Sequence, residues 1–171
     1  MDELLDIYDE NKKFTGKIHP RRQPRADGEF CLVVHVLVQN DDGLFLITKR
    51  AHDKHYLPDF WENTGGSAIA GETSLEAAMR EFHEETGFML IPESGELLFT
   101  DKIVNSGWSC FMDNWLFQQN FDIKKFIPQE GETVAAKWAA FDEIIKLHEN
   151  GEFVPFAETG LDGYFRRLGL L

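Results

Sequence analysis

Glu81, Glu84 and Glu85 stand at i, i+3 and i+4 of a segment with helical hydrophobic spacing. At about 100° per residue they share one sector roughly 100° wide, beside an apolar sector of Leu75, Ala78, Met79 and Phe82. Like charges at these spacings repel by roughly 0.2–0.5 kcal/mol per pair. Two of them lie toward the helix C-terminus, where the macrodipole disfavours anions. A hard dication offsets both penalties, because Mg²⁺ and Mn²⁺ take oxygen ligands and bridge one or two carboxylates to substrate phosphates. Ala77, on the same side one turn earlier, leaves room for such a group. A solvated acidic face competes with this reading on the glutamates alone, and the neighbouring residues decide between the two.

The helix is well bounded. Thr73 followed by Glu76 is a capping box, and Gly87 can take the left-handed conformation that ends a helix. Upstream, Cys31 to Val38 is a continuous β-branched apolar run, as expected of a strand buried on both faces, and Asn40-Asp41-Asp42-Gly43 turns it into Leu44 to Thr48. Leu97 to Ile103 and Trp108 to Phe117 alternate as antiparallel strands, and Val134 to Ala140 adds another. Asp142 to His148 and Leu161 to Leu168 have helical spacing. Residues 1–25 are predicted to form a hairpin, Glu3 to Tyr8 with Phe14 to Ile18, followed by a basic loop. Strands before and after a central helix predict an α/β fold with a mixed sheet and helices on both faces. His35, inside the apolar run, is expected to be packed and hydrogen-bonded without a catalytic role.

The flanking residues complete a longer pattern: Gly66, five residues, Glu72, seven residues, then Arg80-Glu81-Phe82-His83-Glu84-Glu85-Thr86-Gly87-Phe88. Nine fixed positions over the 23 residues 66–88 make a chance match very improbable. The chain resembles a Nudix hydrolase, and Leu44 to Arg50 and Val134 to Glu143 extend the resemblance on both sides. It implies a single domain over residues 1–171, an α/β/α sandwich whose loop-helix-loop box binds Mg²⁺, with Mn²⁺ as a substitute, and hydrolyses a nucleoside diphosphate derivative. Carried over by position, Glu84 and Glu85 are the chief metal ligands, and Glu81 is a further ligand or the general base. Arg80 orients the glutamates, Glu72 is the supporting carboxylate of the metal set, and Gly66 lets the backbone approach metal and phosphates. Glu132 matches a position that supplies an extra ligand or base in relatives, against the alternative of a solvated loop glutamate. The catalytic set is thus Glu81, Glu84, Arg80 and Glu132.

Phe60-Trp61-Glu62-Asn63-Thr64 resembles isopentenyl-diphosphate isomerase, a Nudix relative that shifts a proton instead of adding water. The isomerase needs a cysteine immediately before the box glycine, where this chain has Gly65, and histidines where it has Cys31 and Ser67. A nucleotide sensor with a vestigial box predicts loss of metal glutamates, and none is lost. Neither the proline associated with ADP-ribose hydrolases nor the upstream signature of coenzyme A hydrolases is present. Trp61, Trp108, Phe111 and Trp115 are candidates to stack on a base, with core packing as the alternative for each. Lys49, Arg50 and the early basic residues Lys12, Lys13, Lys17, His19, Arg21, Arg22 and Arg25 are candidates for phosphate contact, with solvated surface as the alternative.

The 171 residues, 43% of them hydrophobic, suffice for one core, and the net charge of −13 argues against coating a nucleic acid or a membrane surface. A small-molecule partner is expected, with a homodimer common among relatives. Cys31 and Cys110 have no partner at metal-ligand spacing and read as buried free thiols. The charged opening segment and the absence of a transmembrane-length apolar run point to the cytoplasm.

Overall fold

A computed structural model describes residues 2–171. The central run forms β3 (Cys31–Gln39), and its neighbours are β4 (Phe45–Arg50), β5 (Trp61–Glu62), β6 (Thr64–Ser67), β7 (Gly95–Ile103), β8 (Cys110–Gln118) and β9 (Thr133–Ala139). Together they make a seven-stranded mixed sheet. β3 and β8 run parallel at its centre, from Cys31 opposite Cys110 to Gln39 opposite Gln118. The expected antiparallel pair is β7 with β8. Its second strand starts at Cys110, two residues later than the sequence suggests, because Ser109 Oγ bonds both N–H and C=O of Asn105 and holds a turn there.

On the other edge of β3 the sheet divides. Residues 33–36 pair with β6, whereas only Val38 and Gln39 pair with β4. The short strands β5 and β6 therefore fill a wedge between two diverging neighbours, and the box opens in that wedge.

Both faces of β3 are covered, which explains its unbroken apolar run. Val34, Val36 and Val38 pack with Ala77, Ala78 and Phe82 of α1 (Ser74–Thr86). Leu37 joins Ile144 of α2 (Phe141–Glu149) and Tyr164 and Phe165 of α4 (Leu161–Arg167) on the opposite face. The Tyr164 hydroxyl donates to the carbonyls of His35 and Trp115 at 2.9 and 2.8 Å, tying α4 across the central strand pair. α3 (Phe156–Thr159) has no sequence signal, since four residues are too few for a helical period.

β1 (Leu4–Tyr8) and β2 (Phe14–Pro20) form a separate antiparallel hairpin. Of the basic residues that follow its first strand, Lys13, Lys17, Arg21 and Arg22 are exposed, whereas Lys12 and Arg25 have structural contacts. Lys12 pairs with Asp113, which is almost fully buried and also accepts from Thr100 at 2.5 Å. Arg25 is buried and donates to Ser109 O at 3.0 Å. The hairpin also braces the loop ahead of α1, through Ala70 N to Leu4 O at 2.7 Å and Gly71 N to Asp6 Oδ2 at 2.9 Å. Among the described residues no helix is long and apolar enough to cross a membrane.

Candidate active site

The capping box on α1 is formed in both directions, with Thr73 Oγ1 accepting from Glu76 N and the Glu76 carboxylate accepting from Thr73 N at 2.8 Å. Gly87 ends the helix at φ 74°. With Phe82 fully buried, the rotation of the helix is set and its glutamates face the wedge. There they line a cleft of about 410 Å³ together with Gly65, Gly66, Glu62 and Glu132.

Arg80 organises the acidic wall. Its Nε donates to Glu72 Oε1 at 2.6 Å, and Nη1 reaches Glu81 Oε1 at 3.0 Å and Glu84 Oε2 at 3.2 Å. Nη2 bonds Glu72 Oε2 at 2.9 Å and Ser67 O at 3.0 Å. Glu72 also accepts from Ile69 N at 2.9 Å, so both its oxygens are engaged in holding the loop and Arg80, and it stands outside the cleft lining. Of the three carboxylates expected to converge on an ion, Glu81 and Glu84 are thus drawn, with Glu72, around a guanidinium. Among the described residues no three His, Cys, Asp or Glu side chains are gathered closely enough to hold a metal as they stand.

Glu85 is the exception to this neutralisation. It is buried, and its Oε2 has no hydrogen-bond partner among the described residues. Burial raises its pKa well above the ordinary carboxylate value, and nearby Glu62 and Glu81 push the same way. Burial likewise raises Glu81, against the pull of Arg80. An unpaired buried carboxylate oxygen beside further carboxylates is costly unless a cation completes it. The donor set is oxygen throughout, so these residues fit a hard dication.

Gly66 belongs to the same arrangement in an unanticipated way. A Cβ on it would overlap the Glu81 carboxylate, so glycine here makes room for a side chain as much as for a ligand. Gly65 faces the other side of the sheet, where a Cβ would sit 2.7 Å from Val34 O and against the His35 ring. A cysteine at this position has no room. Gly65→Cys is expected to cost about 2–3 kcal/mol, lowering Tm by roughly 5–10 °C in thermal unfolding, and to confer no isomerase activity.

Several residues in the cleft had no sequence assignment. Glu62 accepts both bonds of Arg50 Nη1, at 3.0 and 2.8 Å, and burial raises its pKa. Its signal was a lone acid in the aromatic run before the glycine pair. Arg50 is consumed by this pair and by the carbonyls of Tyr56 and Leu57, so its expected phosphate contact is replaced by a structural one. Lys49 lies over the Trp61 ring instead of in the cleft. Besides Arg50 and Arg80, the cations lining the cleft are Lys54, paired with Glu132, and Arg21 from the hairpin, paired with Glu3 at 2.5 Å.

None of the four aromatic candidates lines the cleft. Trp115 packs against the α1 core and donates from Nε1 to Ser74 Oγ at 2.8 Å. Phe111 pairs with Phe30, Trp61 lies under Lys137 and Lys49, and Trp108 is exposed in the turn before β8. Tyr56 lines it instead, its hydroxyl donating to Glu158. His35 is packed and hydrogen-bonded as expected, to the Thr159 backbone and the Asn114 side chain, and its ring also borders the cleft. Burial lowers its pKa to about 4.

The Nudix domain model matches residues 29–158. An uncharacterised Nudix hydrolase of Listeria monocytogenes serovar 1/2a is 35% identical over 155 residues, 90% of this chain and 89% of that protein. An isopentenyl-diphosphate Delta-isomerase of Streptomyces griseus is 30% identical over 164 residues, covering 93% and 82% of the two chains. The crystal structure of DR0079 from Deinococcus radiodurans superposes with a TM-score of 0.73 at 23% identity, over 93% of this chain and 96% of that one. With the box complete and its glutamates in the cleft, the chain belongs to the Nudix family, as a hydrolase of diphosphate bonds.

Proposed function

We propose that the chain is a Mg²⁺-dependent hydrolase, served also by Mn²⁺, that cleaves a nucleoside diphosphate or a small molecule linked to one, by attack of water on phosphorus. The observation that carries this is the unpaired buried Oε2 of Glu85 in a cleft walled by Glu62, Glu81 and Glu84. Glu84 and Glu85 would hold the ion, with the Gly66 backbone close by and Glu81 as a further ligand where it is not the base. The chemistry supplied there is neutralisation of the nonbridging oxygens and acidification of a water.

The chain's own residues do the rest. Arg80, fixed by Glu72, holds Glu81 and Glu84 in register. Glu81, more basic than an exposed glutamate because it is buried, takes the proton of the attacking water. Glu132 is the second choice for that proton, and its ion pair with Lys54 must open first. Lys54 and Arg21 face the negative charge that develops on the departing phosphate.

Isomerisation of a prenyl diphosphate finds no such support. Gly65 excludes the cysteine, and Val33 and Val154 are the only aliphatic side chains lining the cleft among the described residues. A net charge of −13 also fits a small-molecule substrate met in the cytoplasm better than a polymeric one.

The test is a screen of nucleoside diphosphates, sugar nucleotides, dinucleotides and prenyl diphosphates with Mg²⁺ or Mn²⁺ in ¹⁸O-labelled water. One diphosphate class is expected to turn over with label in a phosphate product, and Glu84→Gln is expected to lower kcat about 10²-fold or more. Cleavage equal in the variant, or none with any compound, would overturn the assignment.

A further inference from the structure

The cleft has a second half that the hydrolytic chemistry does not use. Adjacent residues on a strand face opposite sides of a sheet, so Gly66 opens toward Glu81 and Gly65 toward His35. Residues from both sides line the one cleft, which passes the sheet where these glycines leave no side chain. Beyond them its floor is Asn63, His35 and Thr159.

This floor holds a buried acceptor without a partner among the described residues. Asn63 is buried, with Nδ2 donating to Thr159 O at 3.4 Å and Oδ1 unpaired among the described residues. The His35 ring beside it is hydrogen-bonded to the Asn114 side chain and the Thr159 backbone. Buried polar atoms are rarely left unsatisfied, and each one costs stability. The Oδ1 of Asn63 is a carbonyl oxygen that only accepts, so at the floor of the cleft it marks a place that receives a hydrogen-bond donor. Gly160, at φ 71°, adds to the same construction, because a Cβ there would strike Asn114 Oδ1. The Tyr56 hydroxyl bonded to Glu158 at 2.8 Å bridges the rim above.

We propose that Asn63, with His35 beside it, is a recognition site for the organic group carried by the diphosphate, and that it selects a polar group bearing N–H or O–H donors, the edge of a nucleobase or a sugar. This rests on the hydrolase reading above, which sets the phosphates against the glutamate wall. The floor then meets the far end of the same ligand. A hydrocarbon group would strip water from the Asn63 oxygen and leave it unpaired, which is how a site built for a donor rejects an apolar analogue.

The experiment uses the full chain with Mg²⁺ and non-hydrolysable α,β-methylene analogues of the cytidine, uridine, adenosine and guanosine diphosphates. An abasic ribose analogue and methylenediphosphonate, which carries no organic group, complete the set. Titration calorimetry is expected to show one or more donor-bearing analogues binding at least about 10-fold tighter than methylenediphosphonate. Asn63→Leu is expected to erase that advantage to within about 3-fold while methylenediphosphonate binds unchanged. An advantage kept by the abasic analogue assigns the site to the sugar, and one lost with the base assigns it to the base. In the wild-type protein, the ¹⁵N resonances of the His35 ring should shift with the favoured analogue and not with methylenediphosphonate. This readout stands even where Asn63→Leu does not fold. Equal weakening of methylenediphosphonate by Asn63→Leu, an undiminished preference in that variant, or an unmoved His35 ring would each overturn the recognition site. Failure of every compound to bind would instead overturn the hydrolase reading beneath it.

Discussion

Glu85→Gln is expected to lower kcat by about 10³-fold, on the order of 4 kcal/mol of transition-state stabilisation, while making the metal-free protein more stable. The two effects have one origin. Glu85 is buried with Oε2 unpaired among the described residues, and Glu62 and Glu81 add negative potential around it. Glutamine keeps the shape and removes the charge, so the metal-free variant should gain about 1–2 kcal/mol, or roughly 3–6 °C in Tm. The same substitution removes the carboxylate best placed to meet a dication. Saturating Mg²⁺ should therefore raise the Tm of the wild type and leave the variant nearly unmoved.

The pH dependence of the metal-free protein follows with a definite sign. Glu85 has a folded-state pKa raised above its reference of 4.5, so the folded state binds the extra proton. Its contribution to stability is fully present below pH 4.5, declines as pH rises, and is gone above the folded pKa. Glu85→Gln should flatten this part of the profile. Chemical denaturation from pH 4.5 to 8 with a chelator present measures it, and a variant that is both less stable and still active would exclude the assignment.

Local chemistry explains which parts of the molecule were readable from sequence. α1 was readable to the residue, because Thr73, Glu76 and Gly87 each satisfy a backbone group of the helix itself. β3 was readable because burial on both faces demands an unbroken apolar run. The division of the sheet around β5 and β6 was not, since it depends on how β4 diverges from β3 and leaves no period in two strands of two and four residues. The box glutamates were legible as a set, but their arrangement around Arg80 was not, as the motif gives spacing and no partners. The place of Glu62, Asn63 and His35 at the cleft was not legible either. Each is a polar residue in an apolar or aromatic run, and only the tertiary structure reveals that the cleft crosses the sheet beside them. The pairings of Arg50 and Lys12 were not legible for the converse reason: a basic side chain announces charge, whereas its partner is set by chain segments far away, Glu62 for Arg50 and Asp113 for Lys12.

Gly66→Ala is expected to reduce kcat by about 10²–10³-fold although it removes no charged or polar group. Its Cβ would fall on the Glu81 carboxylate, so the side chain must leave its place beside Arg80. Glu81 is held there by a 3.0 Å bond to Nη1, and the same guanidinium holds Glu84 at 3.2 Å, so moving one carboxylate disturbs the other. The fold should persist, because β6 keeps its pairing with β3 and its φ is not in the left-handed region. A stability loss of about 1–2 kcal/mol from overpacking is the expected ceiling. Glu81→Gln in the same background separates positioning from bulk. If Gly66→Ala acts by displacing Glu81, the double variant should be hardly slower than Glu81→Gln alone, a non-additivity that a double-mutant cycle measures directly. Additive losses would mean that the methyl group blocks the substrate instead, and KM would then rise more than kcat falls.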